Sequence, residues 1–166
     1  MATELSSITP EQLQAEWLSH CIELQYVHYT AGNIYARLNF LLGGPVVVLS
    51  AAAGTSTFVY LESGTNQVAL IVTGIVSMSV AVLAGLQTFL RFSERAEQHR
   101  TVGARYGAIK RKIEQMSARK DVTEVDTDQF IDSIRKELDA LAQDAPGVSG
   151  SMFRRAISHM RVTESR

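Results

Sequence analysis

The chain has 166 residues, of which 46% are hydrophobic and 20% charged, with a formal net charge of −1. Its single cysteine, Cys21, excludes an intramolecular disulfide framework and a zinc-type cysteine cluster. The balanced total hides a segregation that leaves no room for a large soluble domain, because the only charged residue between Arg37 and Arg91 is Glu62.

Residues 1–37 read as an N-terminal amphipathic helix. Thr9-Pro10-Glu11-Gln12 has the form of a helix start, with Thr9 as N-cap, Pro10 at the first helical position and Gln12 placed for a capping box. Leu13, Trp17, Cys21 and Leu24 follow at three- or four-residue spacing, and Val27, Ala31, Ile34 and Leu38 extend the line. The segment carries Glu4, Glu11, Glu16 and Glu23 against Arg37, a net of −3.

Residues 38–61 are uncharged and predict the first transmembrane helix. At a rise of ~1.5 Å per residue they cover the ~30 Å hydrocarbon core. A soluble core helix would keep a polar face, whereas Val46-Val47-Val48-Leu49 is apolar all round. Gly43, Gly44 and Pro45 predict a hinge or break near the membrane interface, with Pro45 starting the spanning helix. Residues 62–67 are the expected extracytoplasmic turn, and residues 68–90 the second span, also uncharged and including Val80-Ala81-Val82-Leu83. The first apolar run begins only at residue 38 and is too long for a signal peptide, so none is expected.

The second span is expected to run without a break into a helix over 91–118, with Phe92, Ala96, His99, Gly103, Tyr106, Ile113 and Met116 on one face. After a turn, Asp126-Thr127-Asp128-Gln129 suggests the cap of a helix within 122–143, with Phe130, Ile131, Ile134, Leu138 and Leu141 on its apolar side. Residues 144–150 form a linker, and 151–166 a short C-terminal helix and tail that sets Phe153, Ile157 and Met160 against Arg154, Arg155 and Arg161. The predicted fold class is an all-α membrane protein: a two-pass transmembrane helical hairpin extended by long cytoplasmic helices, with a small C-terminal helical tail.

Charge sets the expected orientation. Residues 91–120 carry nine Lys/Arg against Glu94, Glu97 and Glu114, a net of +6, while the turn has no Lys or Arg. The positive-inside rule then places both termini in the cytoplasm, and the basic run is drawn to anionic lipids at that face. A juxtamembrane position accounts for these charges, so no nucleic-acid partner is expected. In an antiparallel hairpin the residues that meet have numbers summing to about 128, which sets His28 near His99 and pairs Glu16 with Lys112 and Glu23 with Arg105. The arms are expected to pack like a coiled coil, each exposed ion pair contributing only ~0–1 kcal/mol.

The search for chemistry is nearly empty. His20, His28, His99 and His159 lack the spacing of metal ligands, and no nucleophile–base arrangement, phosphate loop or paired-carboxylate site occurs. An enzyme, a metal site and a cofactor are therefore not expected. The spans carry more information. Ser77, Ala81 and Gly85, and likewise Ser50 and Gly54, repeat every four residues, the small-residue pattern by which helices associate in lipid. Their plainest use is to pack the hairpin. The alternative is a water-facing path in an oligomer, with Thr55, Ser56, Thr57, Thr73, Ser77, Gln87 and Thr88 as candidate pore-lining residues. Glu62, alone at the far mouth of the first span, is either solvated in the turn or, repeated around a ring of copies, a pore-mouth carboxylate selecting cations.

Trp17, the run His28-Tyr29-Thr30-Ala31-Gly32-Asn33-Ile34-Tyr35, the entry Gly43-Gly44-Pro45 with Ala53-Gly54-Thr55, and the exit Glu94-Arg95-Ala96-Glu97-Gln98-His99-Arg100 with Tyr106 resemble the SLATT domain family of bacterial two-pass membrane proteins. The resemblance covers about residues 12–118. It implies a membrane effector of bacterial conflict systems, of a kind often encoded beside nucleotide-second-messenger synthases or sensors and held to form pores that depolarise or kill the cell. It implies no enzymatic activity.

Three functions fit these features. The first is an oligomeric, pore-forming or ion-channel-like effector of the bacterial inner membrane, a homo-oligomer gated through its cytoplasmic helices by a cytoplasmic sensor or nucleotide-signalling protein. The second is a non-conducting membrane scaffold whose coiled helices recruit a partner. The third, a constitutive cation channel, differs from the first in regulation alone.

Overall fold

The computed structural model describes residues 8–63, 66–119 and 123–164, and every regular element among them is an α-helix. In chain order these are α1 (Pro10–Ser63), α2 (Gln67–Leu90), α3 (Phe92–Ser117), α4 (Glu124–Asp144) and α5 (Gly150–Glu164). They belong to two compact units, one made of Met1–Gly32 with Glu97–Arg166 and the other of Asn33–Ala96.

The first unit is a helical bundle with one core. Its α1 starts as the local sequence dictates: the Thr9 amide donates to Gln12 Oε1 at 3.0 Å, and the Gln12 amide donates to Thr9 Oγ1 at 3.3 Å. This reciprocal box satisfies two amides that a helix start leaves open. Cys21 from α1, Val102, Tyr106, Ile109 and Ile113 from α3, and Ile134 and Leu141 from α4 form the buried cluster. Trp17, Leu18, Leu24, Phe130, Leu138 and Ala145 pack around it. On α3 the buried set His99, Val102, Tyr106, Ile109 and Ile113 recurs every three or four residues, the spacing of one helical face. Gly103 lets α1 and α3 approach closely, since a Cβ there would lie 3.4 Å from the Gln25 carbonyl oxygen and 3.5 Å from His28 Cβ. The contact of residue 103 with 28 and of 99 with 28 is the antiparallel register expected of the two arms.

α4 begins earlier than Asp126. Thr123 caps it, its hydroxyl accepting from the Asp126 amide at 3.2 Å, so Asp126 is the third helical residue and not the cap. α5 likewise is longer than the expected segment, running from Gly150 to Glu164, with Ala156 fully buried.

The second unit is the apolar helical hairpin. Two helices have 18-residue windows apolar enough to cross a membrane, and none of either window is buried inside the protein. A soluble protein hides such helices in its core; here Val47, Val48, Leu70, Ile71, Ile75, Met78, Val82 and Phe89 all face outward. Isolated in water, an exposed apolar surface of this kind is an interaction surface by default, and hydrocarbon is the medium that suits it. This is an all-α, two-pass membrane protein.

Two expectations about this unit are corrected. α1 is continuous through Gly43, Gly44 and Pro45, with Pro45 inside the helix, so no separate spanning helix starts there. A proline in a membrane helix removes one backbone hydrogen bond without ending the helix, because neighbouring groups take up the freed carbonyl. Nor does the second span run unbroken into the basic helix. Arg91, at φ 47° and ψ 42°, stands in the left-handed region and ends α2, and α3 starts at Phe92. Among the described residues it is the one non-glycine with positive φ.

Candidate functional site

The candidate residues in the spans are disposed by helical geometry. Successive residues turn by about 100° around a helix, so Thr55, Ser56 and Thr57 cannot share one face. Of the three, Thr57 lines a groove of ≈ 290 Å³ together with Ser50, Ala53 and Gly54 of α1 and Ser77 and Val80 of α2. The two small-residue repeats thus come together, at Ser50 and Gly54 on one helix and Ser77 on the other.

The hydroxyls have local acceptors. Thr55, Ser56 and Thr57 donate to the carbonyls of Ala51, Ala52 and Ala53 at 2.9, 2.8 and 3.0 Å, and Thr88 donates to that of Ala84 at 3.0 Å. Back-bonding to the preceding turn satisfies a hydroxyl in lipid without water. Thr73 is half-buried in α2.

Gln87 has a different role from the hydroxyls. Its Nε2 donates to Asn39 Oδ1 across the hairpin at 3.5 Å, and its amide lies over Gly43, where a Cβ would meet Nε2 at 2.7 Å. Gly43 therefore makes room for an interhelical amide contact, while nothing lies within 4 Å of a Cβ at Gly44. Tyr35 stacks on Phe92 nearby in the same unit, with ring centroids 6.1 Å apart.

Glu62 belongs to the last turn of α1, which continues to Ser63 beyond the expected start of the loop. Its side chain lies outside the described residues, as do residues 64 and 65 of the expected turn. Asn66 is the N-cap of α2, its side chain accepting from the Val68 amide at 3.0 Å.

The expected ion pairs between the arms are replaced by others. Lys112 Nζ binds both carboxylate oxygens of Glu137, at 2.6 and 2.8 Å, and Arg105 pairs with Asp144 at 3.2 Å. Both acids are on α4. Glu16 is exposed and Glu23 half-buried on α1, and neither takes the partner assigned to it. The helical register was legible; the third helix competing for the same cations was not.

Inside the first unit, His28 and His99 meet at 3.0 Å between their Nδ1 atoms. Burial lowers the pKa of both, that of His28 to about 4 with help from the positive charge that His99 can carry. Burial also pushes the Cys21 thiol up to about 11. Among the described residues no three His, Cys, Asp or Glu side chains are grouped to hold a metal ion.

A family model described as SMODS and SLOG-associating 2TM effector domain family 4 matches residues 26–165. It thus takes in α4 and α5, which lie beyond the region of resemblance read from the sequence, and starts after Trp17. No curated protein and no solved structure matches the chain.

Proposed function

The chain belongs to the family of SMODS and SLOG-associating two-transmembrane effector domains, and on that premise we propose that several copies assemble into a conducting path through the bacterial inner membrane. In this reading the protein serves a conflict or defence system, both termini are cytoplasmic, and the assembly opens when a cytoplasmic sensor or nucleotide-signalling partner acts on the helical unit. The observation that carries the reading is the hairpin itself. Its outward surface is apolar, a groove between its helices gathers Ser50, Gly54, Thr57 and Ser77, and two helices are too few to enclose water. Small residues permit close contact between copies, and uncharged hydroxyls line a path without the penalty of a charge in lipid. Glu62 would then repeat at the outer mouth and favour cations.

The scaffold reading has one observation in its favour. Thr55, Ser56, Thr57 and Thr88 are already bonded to backbone carbonyls and need no water. The two readings part on assembly in lipid. Counting copies by single-molecule photobleaching of labelled protein in lipid nanodiscs should give a fixed number well above two. A single copy per disc at all protein-to-lipid ratios would exclude the pore.

A further inference from the structure

The apolar face of α5 is only partly covered by the unit it belongs to. Ala156 is fully buried, Met152, Ile157 and Met160 are half-buried, and Phe153 is 40% exposed. Helical geometry orders these residues around the axis. Taking Ala156 as zero, Phe153 stands at about 60° and Ile157 at about 100°, with exposed Arg154 beyond them at about 160°. Exposed Arg155 is on the other flank, about 100° the opposite way. One edge of the docked helix therefore offers an aromatic ring, a branched aliphatic chain and a guanidinium side by side.

That combination suits the surface of a bilayer. An aromatic ring settles at the headgroup level, and an arginine beside it lays its stem along apolar surface while its charged head stays with the phosphates. Charge points the same way. α5 carries Arg154, Arg155 and Arg161 against Glu164, a net of +2, whereas α4 carries seven Asp and Glu against Arg135 and Lys136, a net of −5. An anionic surface thus attracts α5 and repels α4. Chain length keeps α5 within reach of it. Arg105 pairs with Asp144 and Lys112 with Glu137, so α4 runs antiparallel to α3 and ends beside Arg105. Along α3, Arg105 is ~20 Å from Phe92, where the helix begins after the second span. Residues 145–149 can extend by about 17 Å.

We propose that the edge of α5 formed by Phe153, Ile157 and Arg154 is a docking surface for anionic lipid headgroups, seating the C-terminal helix on the bilayer. The inference requires the two spans and stands whether or not they conduct.

The test uses the full chain reconstituted into phosphatidylcholine vesicles with or without phosphatidylglycerol, the lipids carrying bromine on their acyl chains. Phe153→Trp in a Trp17→Phe background should be quenched when phosphatidylglycerol is present, and less in phosphatidylcholine alone. Val125→Trp, at an exposed position of acidic α4, should stay unquenched in both. Arg154→Gln should lower the ratio of docked to undocked α5 about fivefold, the worth of one arginine near an anionic surface. Arg155→Gln, on the opposite flank, should lower it less. Equal quenching of Phe153→Trp and Val125→Trp in phosphatidylglycerol, or equal losses from the two arginine substitutions, would overturn the proposal. If the Trp17→Phe background folds poorly, Phe153→Cys carrying an NBD label in a Cys21→Ser background decides the matter. A blue shift on adding phosphatidylglycerol supports the docking edge, and an unchanged emission overturns it.

Discussion

At the scale of single residues, the first unit depends on a few wholly buried side chains. Ile113 and Ile134 are each 1% exposed and face one another's helices in the same cluster. Ile113→Ala leaves a cavity and should cost about 2–5 kcal/mol, read as a lower midpoint of the Trp17 emission change in urea. Exposed Phe153 on α5 is a suitable contrast, and Phe153→Ala should leave that midpoint nearly unchanged. The buried histidines add a pH dependence whose sign is definite. Both bind protons less readily folded than unfolded, so their contribution is intact above the unfolded value of about 6.5 and is lost as pH falls from there toward the folded value of His28. Stability measured by the same emission should therefore fall by about 2 kcal/mol between pH 7.5 and pH 5 as His28 takes up its proton beside His99. Constant stability over that range would show that these rings are not shielded from water.

At the scale of elements, the register of α1 against α3 is the sharpest geometric statement. A Cβ at position 103 lies 3.5 Å from His28 Cβ, within the Cβ–Cβ range of a disulfide, roughly 3.5–4.5 Å. In a Cys21→Ser background, His28→Cys with Gly103→Cys should form an intramolecular bond on mild oxidation. Native Cys21 with Gly103→Cys, two helical turns away, should not. Equal bonding in both would mean the arms slide. Arg91 gives a second element-scale test, because its left-handed backbone suits glycine better than a β-branched residue. Arg91→Gly should preserve or slightly raise the thermal midpoint followed by circular dichroism, and Arg91→Ile should lower it.

Much of this level is legible in the sequence. The uncharged runs around Glu62 and the turn between them set the hairpin, and the hairpin sets which numbers meet, hence His28 beside His99. The Thr9–Gln12 box was legible because its bonds are local. What escaped was non-local or a matter of competition. Arg105 and Lys112 had acids available on α1, yet Asp144 and Glu137 of α4 hold them, and no spacing rule ranks two helices that both offer carboxylates. Gly43 read as a flexible point, whereas its lack of a side chain admits the Gln87 amide from the other arm. The left-handed turn at Arg91 has no signature, since arginine is otherwise a good helix former. Thr55, Ser56 and Thr57 are neighbours in sequence but about 100° apart around the helix, so of the three Thr57 reaches the groove.

At the scale of the whole molecule, orientation and conduction are the claims at issue. Nine basic residues within 91–120 and none in the turn argue for cytoplasmic termini. In a Cys21→Ser background, a cysteine at Ser63 should react with a membrane-impermeant maleimide in spheroplasts, and one at Lys120 should react only after lysis; the reverse pattern would invert the topology. The central claim is that the assembled hairpins conduct, and ionic current through a planar bilayer tests it most directly. Purified protein, with its cytoplasmic partner added if the system encodes one, should give discrete conductance steps that prefer cations, and Glu62→Gln should reduce that preference while leaving the steps. A silent bilayer under both conditions, from protein shown to be inserted and oligomeric, would contradict the account.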